Sequence, residues 1–301
     1  CGPSIGARVR ARAGGGASMM IELDGLTFND SGRGWVFADL IDWYTLTDSK
    51  SPNTAIPQGH GSFNPGQDWR EAAAISFTAG YIGDSQSECI AAVEQFTALG
   101  ALSSGPVMSV TDDVRTTSRQ VSIRHIGVPD FFGYDQHEVH FAVDLLAWDP
   151  IRYGEDVVAS TTLPTSGGGL EYTLYSGGAG GALYYGSNGN LGRVSLTNDG
   201  TAATWPTLVV SGELTAGFYV QALGTGEVVR YDRIVPAGST VSIDFHTGEV
   251  LVDGISDAST YLTRDEFFSV PPGSSVEVQF NAISGSSGTP TANFTSRSGW
   301  F

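Results

Sequence analysis

Alternation of apolar and polar residues with a period of two runs through most of the chain and predicts strands. Ile21-Glu22-Leu23-Asp24-Gly25-Leu26-Thr27-Phe28 alternates and breaks at Asn29-Asp30-Ser31-Gly32, which reads as a first strand and a turn. Trp35–Leu46 is an apolar-rich strand region, and 49–66 is a loop punctuated by Pro52, Pro57 and Pro65. Glu71–Tyr81 alternates through Ile75, Phe77 and Ala79. One segment has helical spacing instead. Ser85-Gln86-Ser87-Glu88 fits a capping box, Ile90, Val93, Phe96 and Leu99 form one apolar stripe, and Gly100 supplies a stop. Strands resume at Pro106–Val110 and Arg119–His125. His137–Trp148 follows, with Val139, Phe141, Val143 and Leu145 on one face.

Past the Thr/Ser/Gly-rich stretch 161–169 the helical spacing disappears. Short alternating segments recur at Leu170–Tyr175, Arg193–Thr197, Pro206–Ser211, Phe218–Ala222, Glu227–Val235 and Ser275–Ala282. That spacing predicts an antiparallel sandwich. The expected organisation is a basic extension over 1–18, a domain over 19–155, a β-sandwich over 165–285, and a tail or last strand over 286–301. The fold class is mainly β, strands with one α-helix followed by a β-sandwich.

Charge narrows the function classes. The 301 residues carry a net charge of −17. Residues 1–18 hold Arg8, Arg10 and Arg12 and no acid, which reads as a basic arm. Residues 19–150 sum to −12 and 151–301 to −8. Such a surface repels phosphate and argues against tight nucleic-acid binding, but it suits a wall that DNA slides past. With only Cys1 and Cys89, no disulfide framework is implied, and Cys89 reads as a small buried residue. No apolar run reaches the ~18–20 residues of a membrane span, and no signal peptide is visible.

Candidate chemistry concentrates at Ser239–Gly254, where Asp244, His246, Glu249 and Asp253 fall within ten residues. Period two puts Val241, Ile243 and Phe245 on one face and Ser242, Asp244 and His246 on the other. His246-Thr247-Gly248 then reads as the turn of a hairpin with a solvated face. A hydrolase using Asp244 and Glu249 is the enzymatic alternative, but nothing in the pattern places them in a cleft that shifts a pKa. His137-Glu138-Val139-His140 puts its histidines three apart on a strand, on opposite sides, and so does not form a metal site. Ser176–Ala182 lacks the Lys and helix of a phosphate loop, Gly59-His60-Gly61-Ser62 is not a nucleophile elbow, and Asn198-Asp199-Gly200 is a turn. No catalytic, cofactor-binding or metal-binding residue is assigned, and no cofactor is expected.

Several segments together resemble the distal tail proteins of siphophages, a siphovirus-type minor tail protein family. They are Trp69–Tyr81, then Gly83-Asp84-Ser85 opening the helix to Leu99. Trp148-Asp149-Pro150-Ile151-Arg152-Tyr153 is similar to the family's Asp-Pro-x-x-Tyr junction. In the second half come Asn198-Asp199-Gly200, Trp205–Gly212, the Ser239–Gly254 hairpin, and Pro271-Pro272-Gly273-Ser274-Ser275-Val276. The resemblance spans roughly residues 20–283, leaving the basic extension and the end of the chain outside it.

The resemblance implies that the first domain is a ring-forming (belt) domain, a β-sandwich with one α-helix, and the second a galectin-like β-sandwich facing outward. It implies a homohexameric ring at the phage tail tip, joining the tail tube to the baseplate hub, with DNA passing through the bore. The implied partners are the chain itself, the tail tube protein and the tail-tip hub protein, with tape measure and receptor-binding proteins as further candidates. No membrane partner is implied. The implied location is the virion, after assembly in the bacterial host cytoplasm, and the implied role is structural rather than enzymatic. The alternative is a carbohydrate- or receptor-binding module in the second sandwich. The His-x-Asn-x-Arg series of sugar-binding galectins is missing, since Gly248 and Val250 follow His246 at those positions. The Gly154–Gly169 junction is also too short to hold an inserted carbohydrate module.

Overall fold

A computed structural model describes residues 19–29, 33–51, 54–64, 66, 68–102, 105–127, 137–168 and 188–301. The basic residues Arg8, Arg10 and Arg12, the strand expected at Leu170–Tyr175 and the glycine run Ser176–Ala182 lie outside them. Chain contacts divide the molecule into two units, 1–154 with 301, and 155–300. The fold is mainly β, with one α-helix among the described residues.

The first unit opens with a hairpin. The alternating run at its start is two strands, β1 (Met20–Leu23) and β2 (Leu26–Phe28), joined at Asp24-Gly25. Both turn residues have positive φ, 46° and 84°, as a tight two-residue hairpin turn requires. β3 (Gly34–Ile41) and β4 (Ala73–Ile82) follow, then helix α1 (Gln86–Leu99). The remaining strands are β5 (Val107–Thr111), β6 (Thr116–Gln120), β7 (Ser122–Gly127), β8 (Glu138–Ala147) and β9 (Arg152–Tyr153). One sheet runs β2-β1-β5-β6-β9 and the other β3-β4-β8-β7, all antiparallel. The segment Arg119–His125, read from its pattern as one strand, changes sheet at Val121. Thr117 and Arg119 of β6 point inward, and β7 lies at the edge of the second sheet.

The core of this unit lies between the sheets. Ile21, Leu23, Phe28, Met108 and Val110 come from the first sheet, and Ile75, Phe77, Val139, Phe141, Val143 and Leu145 from the second. The inward face predicted for His137–Trp148 is the observed one. Phe96 of α1 is fully buried and packs against Phe141, with centroids 4.7 Å apart, and against Phe28 at 6.1 Å. Removing such a ring from water is worth roughly 1.5–3 kcal/mol.

The helix begins where the capping signal puts it. Ser85 Oγ accepts from the Glu88 amide at 3.4 Å, while Glu88 Oε2 accepts from the Asp84 amide at 2.9 Å. Of the predicted stripe, Phe96 is buried and Val93 and Leu99 pack against the core, but the most buried face is shifted. It is Cys89, Ala92 and Phe96, while Ile90 is exposed. Small residues let the helix backbone press close to the sheet. Gly100 ends the helix in a right-handed conformation, with φ of −67°, rather than the left-handed one.

The second unit is a two-sheet sandwich. Its strands are β10 (Val157–Thr162), β11 (Arg193–Asn198), β12 (Thr207–Ser211), β13 (Phe218–Ala222), β14 (Val228–Tyr231), β15 (Thr240–Asp244), β16 (Val250–Val252), β17 (Ser256–Asp257), β18 (Leu262–Asp265), β19 (Ser274–Ala282), β20 (Thr291–Ser296) and β21 (Gly299–Trp300). One sheet runs β10-β20-β12-β15-β16-β17 and the other β11-β19-β13-β14-β18. Their inner faces meet in one core, with Leu208, Val210, Ile243 and Phe294 from the first and Phe218, Val220, Tyr231 and Phe280 from the second. Every second residue of these strands points inward, which is the alternation seen in the sequence.

Candidate functional site

The first unit carries a feature that buries little of itself. Between the end of β3 and the start of β4 the chain leaves the sheet as a two-stranded arm. At its base the Glu71 amide donates to the Asp48 carbonyl at 2.9 Å and the Lys50 amide to the Trp69 carbonyl at 2.7 Å, around the Ser49–Arg70 bridge. Further out the Phe63 amide donates to the Thr54 carbonyl at 2.9 Å and the Ile56 amide to the Gly61 carbonyl at 3.1 Å, around the Ala55–Ser62 bridge. Pro57-Gln58-Gly59-His60 forms the tip. The loop expected over 49–66 is therefore one and a half limbs of an antiparallel ribbon. Its proline-rich, non-alternating sequence hides the pairing.

The arm has an anchored root and an uncovered shaft. Trp43 is 1% exposed, with Arg119 stacked over its ring at 5.2 Å and its Nε1 donating to Thr117 Oγ1 at 3.4 Å. The next residue, Tyr44, lies under Arg152 at 4.7 Å and donates its hydroxyl to Asp112 at 2.8 Å. Arg119 in turn donates to the Pro150 carbonyl at 2.6 Å, and Arg152 to the main-chain oxygen of Phe301 at 2.6 Å. Two aromatic–arginine stacks on adjacent residues thus fix where the arm leaves the sheet. Beyond them Trp69 is 62% and Phe63 57% exposed, and Leu46 and Ile41 are about half exposed.

The root perturbs its own titrations. Burial lowers the Arg119 pKa to about 10, with repulsion from Arg152 adding to it. Burial, then the hydrogen bond to Asp112, pushes Tyr44 up to about 12. Asp112 is held below the usual carboxylate range by the Arg115 and Val114 amides and the Tyr44 hydroxyl. These groups hold structure. No nucleophile or acid–base pair faces a cleft beside them among the described residues.

The residues singled out for chemistry stay apart. Asp244 Oδ1 accepts from the His246 amide at 2.7 Å and the Thr247 amide at 3.2 Å, closing the turn in which Gly248 has φ of 75°. The Glu249 carbonyl accepts from the Asp244 amide at 2.9 Å, and Asp253 Oδ1 from the Thr240 amide at 2.8 Å. This is the hairpin reading of Ser239–Gly254, with the carboxylates Asp244 and Asp253 engaged by their own backbone. His246 packs on Trp205, with ring centroids 4.5 Å apart. His140 turns to Glu138 at 3.1 Å, and His60 sits at the arm tip. Among the described residues no three His, Cys, Asp or Glu side chains converge as a metal site. Cys89 is a buried free thiol. What sequence reasoning missed is the arm. The signal for it was the length of the β3–β4 connection, since long structured connections are usually functional.

Residues 199–297 match the family described as siphovirus-type tail component, C-terminal domain. The match lies within the second unit. The matched span starts at the Asn198-Asp199-Gly200 turn and includes the Asp244–Glu249 hairpin. Over the whole chain, the crystal structure of SPP1 Dit (gp 19.1), described as a paradigm of the hub adsorption apparatus in phages infecting Gram-positive hosts, superposes with a TM-score of 0.58. Identity is 12%, over 93% of this chain and 98% of that one. The activated phage p2 baseplate with Sr superposes at 0.53, with 10% identity over 92% and 97% of the two chains. The same baseplate with Ca gives 0.50 and 11%, over the same 92% and 97%. At these identities the likeness establishes the fold, and the fold is that of tail hub and baseplate proteins. No curated protein matches the chain.

Proposed function

We propose that the chain is a structural component of a phage tail tip, a distal tail protein without enzymatic activity. Six copies close a ring that joins the tail tube to the baseplate hub and lets DNA through its bore. The observation that carries this reading is the arm. A two-stranded ribbon alone in water is marginally stable, yet this one is anchored at Trp43 and Tyr44 and leaves Trp69 and Phe63 uncovered. A surface built that way calls for a covering partner, and in a closed cyclic assembly the partner is the next copy. The full-length likeness to a hub protein and a baseplate supports the same reading.

The tail tube protein and the hub protein stack on the two faces of the ring. The C-terminal sandwich faces outward and attaches peripheral parts, including receptor-binding proteins. The acidic surplus of 19–150 keeps the bore from holding DNA. Assembly takes place in the host cytoplasm and the product is the virion. Light scattering of the purified full chain tests this directly. A particle of six chain masses is expected, and a strict monomer at tens of micromolar overturns the ring.

A further inference from the structure

Arg119 and Arg152 face each other across two strands. β6 and β9 pair antiparallel with Ser118 opposite Tyr153, so the next position in that register sets Arg119 opposite Arg152. Both side chains point inward, at 3% and 8% exposure. Residues directly opposite on one sheet face stand about 5 Å apart at Cβ, and like charges there are destabilising. Neither arginine forms an ion pair among the described residues. The two carboxylates that act on them, Asp112 and Asp149, are engaged elsewhere. Asp112 accepts from the Val114 and Arg115 amides and the Tyr44 hydroxyl. Asp149 accepts from the Ile151 amide at 2.9 Å and the Tyr153 hydroxyl at 2.6 Å.

The guanidinium groups are only partly satisfied. Arg119 Nη2 donates to the Pro150 carbonyl and Arg152 Nη2 to the main-chain oxygen of Phe301. Arg119 Nε and Nη1 and Arg152 Nε are buried without a hydrogen-bond partner. A buried charge is ordinarily paired, and a buried N–H ordinarily finds an acceptor. Three such nitrogens on two opposed cations call for one anion with several oxygens, the chemistry that guanidinium forks match. The nitrogens have almost no contact with solvent, so the acceptor is small and diffusible. A nucleic-acid backbone or a partner's acidic side chain brings its chain along and does not fit. We infer that the Arg119–Arg152 pair is an oxyanion site, taking one inorganic phosphate or similarly small oxyanion between the two guanidinium groups. The way in is past Tyr44, which is half exposed and held at the pair by its hydrogen bond to Asp112. The bound anion neutralises the pair between the stacks on Trp43 and Tyr44, and so firms the point where the arm leaves the sheet. This site does not depend on the ring reading, because every residue it uses belongs to one copy.

Inorganic phosphate tests it on the full chain near neutral pH and at constant ionic strength. At about a hundred times its half-saturating concentration, phosphate is expected to raise the thermal midpoint of the parent by roughly 5–10 °C. In Arg119→Met and in Arg152→Met most of that rise is expected to be lost. Arg124→Gln, at an exposed arginine of β7, is expected to keep it. Calorimetric titration of the parent is expected to count a single phosphate per chain, a reading that stands even where an arginine variant fails to fold. No saturable binding in that titration overturns the site. So does an equal rise in all four proteins, which is the general stabilising effect of phosphate on folded chains. A rise that needs no phosphate, grows with protein concentration and vanishes in both buried-arginine variants also overturns it, because the acceptor would then be a carboxylate of a second copy.

Discussion

Asn198 holds Gly299 in place across the second unit. Asn198 Oδ1 accepts from the amides of Gly200 at 2.9 Å and Gly299 at 3.1 Å, and its Nδ2 donates to the carbonyls of Ala202 at 2.7 Å and Val270 at 3.0 Å. The side chain is fully buried and uses both acceptor and both donor positions. One amide thus ties the end of β11 to the last strand and to the segment before β19. Asn198→Ala takes the side-chain partner from the Gly200 and Gly299 amides and the Ala202 carbonyl, while the Val270 carbonyl keeps the Thr204 amide at 3.1 Å, and a loss of about 3 kcal/mol is expected. Urea unfolding followed by circular dichroism measures it. A loss below about 1 kcal/mol would show that water enters and replaces the amide.

Gly200 belongs to the same knot for a steric reason. A Cβ at this position would lie 1.8 Å from the Gly299 carbonyl oxygen. The obstacle is backbone, so it cannot swing aside as a side-chain end would. Gly200→Ala is expected to cost about 2–3 kcal/mol, as overpacking of a closed site does. Gly254→Ala makes a useful contrast. Gly254 has open space around it and φ of 69°, so only the backbone penalty of about 1 kcal/mol applies. Thermal melts of the two variants, compared with the parent, separate contact from conformation.

Much of the fold was legible because alternation reports burial directly. Val139, Phe141, Val143 and Leu145 line one face of β8, and all four are buried. The failures have physical causes. Leu23 and Leu26 are inward-facing partners across a two-residue turn, so the apolar positions shift phase by one at Asp24-Gly25, a single break that an eight-residue strand reading passes over. On α1 the pattern favoured Ile90, but the sheet accepts the smaller Cys89 and Ala92. Arg119 breaks the polarity rule outright. It is buried at 3% exposure because a stack on Trp43 and the Pro150 carbonyl receive it. The arm was the least legible element, since its cross-strand pairs involve no apolar alternation.

The arm root makes stability at high pH sensitive to Arg119. Tyr44, pushed up to about 12 when folded from the ordinary tyrosine value of 10.0, keeps its proton through a window in which the unfolded chain loses it. Stability therefore falls as pH rises from 10 to 12. Arg119, lowered by burial to about 10 when folded and well above that in the unfolded chain, loses its proton in the window where the unfolded chain keeps it, so stability rises there. The two oppose each other in the parent. Arg119→Met removes the gain and leaves the loss, so its urea midpoint is expected to drop more steeply between pH of about 9.5 and 11.5. Near neutral pH the variant should match or exceed the parent, because a buried charge without an ion pair is gone. Parallel slopes in the two proteins would show that Arg119 titrates as it does in water.

Two tryptophans of the arm separate folding from assembly. Trp43 is buried at the root and Trp69 is 62% exposed on the shaft. Trp43→Ala removes a core ring, the stack under Arg119 and the bond to Thr117, and a loss of about 3–5 kcal/mol is expected. Trp69→Ser, alone or with Phe63→Ser, leaves no cavity and should change stability by no more than about 0.5 kcal/mol. If the shaft is covered by a neighbouring copy, these same exposed substitutions remove an aromatic anchor from the contact. Truncating such an anchor typically costs 2 kcal/mol or more, so assembly should weaken at least about thirty-fold in concentration. Sedimentation velocity across a concentration series reads that shift, while the thermal midpoint of the dissociated chain stays unchanged. Assembly that survives the double variant intact would assign the contact to another surface and leave the arm to the tube or hub protein.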